Sequence, residues 1–166
     1  MEDKKYSYDV DGFDYLTDAL MKTINTFPGL EPEERFSFSR IPNEEGLSVI
    51  ASAGAVIIDH HESITDHVWE TCAYPFTIVY RASGPNERRK IGIKEWLDTL
   101  AKWLTRQKVK IAGVEYQLER FPALSEGRRI NTITRQSPAY LASVNEDKSE
   151  NWVMDLVIQY HNEFDR

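Results

Sequence analysis

The sequence predicts an α+β domain, a mostly antiparallel β-sheet with two main amphipathic helices packed on one face. Three observations carry this expectation. Apolar residues recur at steps of three and four over 13–27 and again over 93–104. Several other stretches alternate apolar and polar residues, most clearly from Trp152 to Tyr160. The order is helix, strands, helix, strands, with short turns between most strands, which favours antiparallel pairing.

Residues 1–10 are polar and read as a flexible N-terminal arm, leaving 11–166 as one domain. Asp11 is placed to cap the first helix, with Asp14 in its first turn. Phe13, Leu16, Leu20, Ile24 and Phe27 form its apolar stripe, and Pro28-Gly29 ends it. After an acidic turn, Phe36 and Phe38 alternate with polar residues. A turn over 42–46 follows, then Leu47, Val49, Ala51 and Ala53 alternate. Ala53-Gly54-Ala55 suggests a bulge before Val56, Ile57 and Ile58. Residues 59–70 are polar and read as a loop. Residues 74–81 (YPFTIVYR) read as a strand, with Pro75 expected at its start or on an edge.

Asn86 is a cap for a second helix over 87–106, whose buried stripe is Ile93, Trp96, Leu97, Leu100 and Leu104, with Trp103 beside it. Residues 114–118 alternate. Ile130 and Ile133 fall in a turn-rich stretch, 139–144 is a short strand, and 145–150 is a polar turn. Trp152, Met154, Leu156, Ile158 and Tyr160 alternate over nine residues and are expected to form the centre of the sheet. His161 points the other way and is expected to be exposed.

Composition narrows the function. A 41% hydrophobic share suits a packed core and argues against wholesale disorder. No apolar run approaches the ~18 residues of a membrane helix, and the polar opening is unlike a secretory signal. The one cysteine, Cys72, forms no internal disulfide, which together with the missing signal favours synthesis in the cytoplasm. A net charge of −7 argues against general nucleic-acid affinity. The charge is unevenly spread: residues 1–70 hold 15 acidic and 5 basic side chains, whereas 81–135 hold 13 basic and 6 acidic. Such a split suits a monomer with two complementary faces.

One constellation suggests chemistry. Asp59-His60-His61 follows an apolar run, and Asp66-His67 lies five residues on. Asp and His are ligands for manganese or zinc, and the triplet resembles a signature of the DHH phosphoesterases. A small metal-dependent phosphoesterase using Asp59, His60, His61, Asp66 and His67 is therefore the alternative reading. The chain has no phosphate-cradling glycine loop, nucleophile elbow or paired cysteines. The main expectation is accordingly no catalytic residue, no cofactor and no metal. Two basic clusters, Arg88-Arg89-Lys90 and Arg128-Arg129, are candidate oligomer or partner contacts.

Residues 74–81, followed by a helix of the form Ile91-x4-Trp96-Leu97-x2-Leu100-x2-Trp103-Leu104, resemble a family of minor capsid or tail-completion proteins of Gram-positive phages and prophages. The opening helix ending at Phe27-Pro28-Gly29 and the later Phe121-Pro122 also fit. The resemblance implies a tail-terminator or head-to-tail joining role, with subunits closing into a ring, commonly a hexamer. It implies the tail tube protein and the head connector protein as partners, and a place at the head-proximal end of the virion tail. It brings no catalytic residues. No membrane association and no direct nucleic-acid contact are expected.

Overall fold

Two 17-residue strands form the spine of the sheet. In the computed structural model, which describes residues 13–52, 54–124 and 127–166, with side chains from residue 16 onward, β4 (His67–Ser83) pairs antiparallel with β9 (Ser149–Asp165) along its whole length. Alternation dictates which side is core. Cys72, Tyr74, Phe76 and Ile78 on β4 and Met154, Leu156, Ile158 and Tyr160 on β9 are almost completely buried, as the nine-residue alternation requires.

Each flank of this ladder carries two strands laid end to end. On the β4 side, β2 (Gly46–Ala51) and β3 (Val56–Glu62) pair antiparallel with successive halves of β4. On the β9 side, β7 (Arg128–Arg135) and β8 (Tyr140–Val144) do the same along β9. β1 (Phe36–Phe38) adds to β2 in parallel, the single parallel pair among the described residues of the sheet. Ala51 pairs with Phe76 and Val56 with Ala73, so four residues of sequence separate β2 from β3 where β4 has two. Between β7 and β8 four residues, 136–139, face two on β9. Both flanks therefore jog by the same surplus.

Several expectations are corrected. Residues 59–70 are not a loop: β3 continues through Glu62, residues 63–66 turn, and β4 already begins at His67. Asp66 makes this turn with φ 61°, and its N–H donates to Ser63 O. The polar side chains concealed the strand because β3 is exposed on both faces, so no apolar face marks its register. Ile130 and Ile133 belong to β7 rather than to turns. Gly127, at φ 76°, opens that strand where a Cβ would strike Glu163 O, so the close approach to β9 requires glycine. Pro75 lies mid-strand, neither at the start of β4 nor at an edge of the sheet. Its carbonyl accepts from Ser52 N in the jog, so its missing N–H faces the gap between β2 and β3, where no ladder bond is lost. Phe38 is exposed although Phe36 is buried. The arm over 1–10, the Asp11 cap and Ala53 lie outside the described residues.

α1 (Phe13–Ile24) buries Leu16, Leu20 and Ile24, with Phe27 following just beyond its end. α2 (Glu87–Leu104) is capped by Asn86, whose side chain accepts from Arg89 N, and it buries Ile93, Leu97, Leu100, Trp103 and Leu104. Thr17 Oγ1 on α1 bonds the Tyr74 hydroxyl at 3.2 Å. Trp96 on α2 packs edge-on against Tyr80 at 5.4 Å and Phe27 at 5.5 Å, stacks on Phe36 at 6.2 Å, and donates from Nε1 to Gly29 O. A separate hairpin of β5 (Val109–Ile111) and β6 (Val114–Tyr116) follows α2.

Candidate functional site

Strand pairing lays the polar residues of the β3 end out in rows. Asp59, Thr71, His161 and Arg129 are cross-strand partners in one row, and His60, Glu70, Asn162 and Arg128 in the next. His61, Trp69 and Glu163 follow. Successive rows face opposite sides of the sheet. Asp59 and His61 therefore share one face, and His60 lies on the other.

The bonds follow the rows. His61 Nε2 lies 3.0 Å from Asp59 Oδ2, and the ring stacks on Trp69 with centroids 5.7 Å apart. On the opposite face His60 Nδ1 lies 2.8 Å from Glu70 Oε1, while Asn162 Nδ2 donates to Glu70 Oε2. Glu70 is buried, so these two partners supply what water would otherwise provide. His67 is held at both nitrogens, by Asp165 through Nδ1 and by Glu163 through Nε2, each at 2.6 Å. Both nitrogens donate at once only in the protonated ring, so the two carboxylates favour that form. The Asp165 and Glu163 contacts accordingly raise the His67 pKa above its ordinary value. Glu163 is held below its own by His161 and then His67.

The five candidate metal residues thus do not converge. Asp59 pairs with His61, His60 turns to the other face, Asp66 sits in the turn, and His67 is engaged by β9. Among the described residues no group of three or more His, Cys, Asp or Glu side chains is arranged to hold a metal ion. His161, expected to be merely exposed, is 19% exposed at its side chain and lies 3.1 Å from Glu163 Oε2. Glu163 and Asp165 had no sequence signal as partners of His67, from which they are 96 and 98 residues away.

The basic clusters stand apart in the fold. Arg88, Arg89 and Lys90 occupy the first turn of α2, and Arg88 is exposed. Arg89 pairs with Glu45 at 2.8 Å, which lowers the Glu45 pKa and raises that of Arg89. Lys90 bridges Glu150 at 3.3 Å and Glu87 at 3.4 Å. Part of the attraction between the acidic and basic segments is therefore spent inside one chain. Arg128 and Arg129 open β7, with Arg128 half-buried and Arg129 exposed. Ala123 bridges Arg129 from the outer side of β7.

A second polar row crosses the sheet where both flanks jog. Ser52 Oγ lies 3.0 Å from Thr77 Oγ1, which donates to Asp155 Oδ1, and Ser137 and Tyr140 donate to Asp155 Oδ2. No family model matches the chain. No curated protein matches it in sequence. Among the described residues no helix is long and apolar enough to cross a membrane.

Proposed function

We propose that this chain is a structural subunit of a tailed-phage virion. It closes head to tail into a ring, taken as a hexamer, that caps the tail tube and offers a docking surface to the head connector. It assembles in the host cytoplasm and ends at the head-proximal end of the tail. The role is geometric and uses no catalytic residue, cofactor or metal. The motif resemblance over 74–104 and the α+β sheet are consistent with it.

The observation that carries the reading is the state of the sheet's flanks. β3 and β8 are exposed along their whole length, on opposite sides of the β4–β9 ladder. Uncovered strands offer unpaired N–H and C=O groups to a neighbouring chain. Two different edges, one on each side, suit a contact that joins unlike surfaces of successive subunits. Both helices are read as covering the face that carries Tyr74 and Tyr80, through Thr17 and Trp96, which leaves the edges open to neighbours.

Sedimentation velocity across a salt series and a range of protein concentrations tests the proposal. Head-to-tail assembly between acidic and basic surfaces is expected to weaken with salt, because the Debye length falls from ~10 Å at 0.1 M to ~3 Å at 1 M. Association that grows with sulfate indicates an apolar contact instead. A chain that stays monomeric throughout, and also when mixed with tail tube ends, removes the ring.

A further inference from the structure

Ala123 bridges the outer edge of β7 at Arg129, and the strand runs on for six residues beyond it. Gln136 N donates to Asp155 O, which fixes how this end of the strand is bonded. Residues of an antiparallel pair alternate between bonding the partner strand and turning away from it. In the register after the bulge, Thr132 and Thr134 therefore bond Gln159 and Val157 on β9. The N–H and C=O groups of Ile133 and Arg135 point to the outer edge, and they form no hydrogen bond there among the described residues. Ile133 is only 4% exposed, so water reaches its two groups poorly.

This edge borders an open groove of about 690 Å³ between β7 and the end of α2. Lys102, Arg106 and Arg135 line it, and no Asp or Glu does. Arg135 is paired with Asp98 at 2.6 Å. The Arg106 guanidinium is bonded only to backbone carbonyls, those of Leu118 and Glu119, and lies over the Phe121 ring at 5.5 Å. Among the described residues no carboxylate pairs with Lys102 or Arg106. Arg106 also holds φ 64°, a left-handed conformation just past the end of α2 where glycine is the usual residue. An arginine there is conformationally unfavourable, and it sets a positive charge on the groove.

We propose that this edge binds an acidic peptide segment of a partner protein, added to the end of β7 as an extended strand. The site goes beyond the ring reading, which uses the edges of β3 and β8, and it does not depend on that reading. A peptide backbone supplies the acceptor and donor that Ile133 and Arg135 lack. Alternate side chains of the added strand enter the groove, where an apolar residue meets Phe121 and carboxylates meet Lys102 and Arg106. Charge decides which edge takes such a segment. β3 carries Asp59 and Glu62 and repels it, and β8 carries no formal charge. A nucleic-acid strand would meet the same cations, but it has no alternating N–H and C=O groups to match the edge, which favours the peptide.

Fluorescence anisotropy with a labelled heptapeptide of alternating valine and glutamate tests the site. Binding tighter than about 1 mM is expected. The same peptide with lysine for glutamate is expected to bind at least about tenfold more weakly. Lys102 is exposed, so Lys102→Glu is expected to keep the native melting temperature and to weaken the glutamate peptide about tenfold, equivalent to ~1.4 kcal/mol. Amide exchange locates the contact: the Ile133 and Arg135 N–H groups are expected to slow on binding, and those of 56–62 and 140–144 are not. Equal binding of the two peptides, or protection confined to the β3 or β8 edge, overturns the assignment. No binding at about 1 mM peptide overturns it too. An oligothymidylate that binds more tightly than the glutamate peptide and displaces it reassigns the groove to nucleic acid and overturns the peptide reading.

Discussion

Thr77 and Asp155 are direct partners across the β4–β9 ladder, and the Thr77 hydroxyl donates to Asp155 Oδ1 at 2.7 Å. Ser52 joins from one jog, and Ser137 and Tyr140 from the other, so a single hydrogen-bonded row ties together the two places where the flanking strands step out of register. Ser137 Oγ is also the acceptor for Asp155 N. The jogs are thus anchored to the spine by side chains where ladder bonds are missing.

Asp155→Ala removes the acceptor shared by three hydroxyls. A loss of about 1.5–3 kcal/mol is expected, the range for hydrogen bonds to a charged group. Urea unfolding measures it. Amide exchange at 136–140 is expected to speed up more than exchange in the middle of β4. A change below about 0.5 kcal/mol, typical of an ordinary surface substitution, shows that the row contributes nothing to stability.

Leu100 on α2 and Leu156 on β9 face the same core and are 0% and 1% exposed. Leu100→Ala is expected to lower stability by about 2–5 kcal/mol, the range for a buried leucine truncated to alanine. Leu156→Asp is expected to abolish soluble folding, because it buries a charge without a partner. Chemical denaturation reads the first and soluble yield the second. A Leu156→Asp chain with native melting behaviour would contradict the core described above.

The β3 end of the sheet is expected to respond to pH through His67 and Glu163. The His67 pKa is raised above its ordinary 6.5, so its contribution is complete below about that pH and disappears as pH rises through the raised value. The Glu163 pKa is lowered from 4.5, so its contribution is complete above about that pH and disappears as pH falls through the lowered value. Amide protection at 60–69 and 160–165 should therefore be greatest between about pH 4.5 and 6.5. His67→Gln should flatten the alkaline side of this profile. An unchanged profile in that variant assigns the dependence to another group.

Elemental analysis of protein purified without an affinity tag is expected to find no manganese or zinc at stoichiometric level. Asp59, His60, His61, Asp66 and His67 already face different partners, and a site would have to break those contacts to form. About one ion per chain, lost together with His61→Ala, would reverse this assignment.

The sequence alone determined the elements that bury one face. The stripe from Leu16 to Phe27, the stripe from Ile93 to Leu104 and the alternation from Trp152 to Tyr160 were all legible, because burial imposes a period of 3.6 or 2 on residue choice. Asn86 was legible as a cap because the first turn of a helix needs an acceptor for its N–H groups. The part of β3 from Asp59 onward and most of β7 were not. Their side chains are largely exposed, so no periodic pattern records their pairing, and only the long strands beside them fix their register. Tertiary structure likewise decided what the histidines do. Asp59, His60 and His61 are adjacent in sequence, yet a pleated strand turns the middle one to the other face. The partners of His67 come from the far end of the chain, because an antiparallel ladder brings the start of β4 to the end of β9.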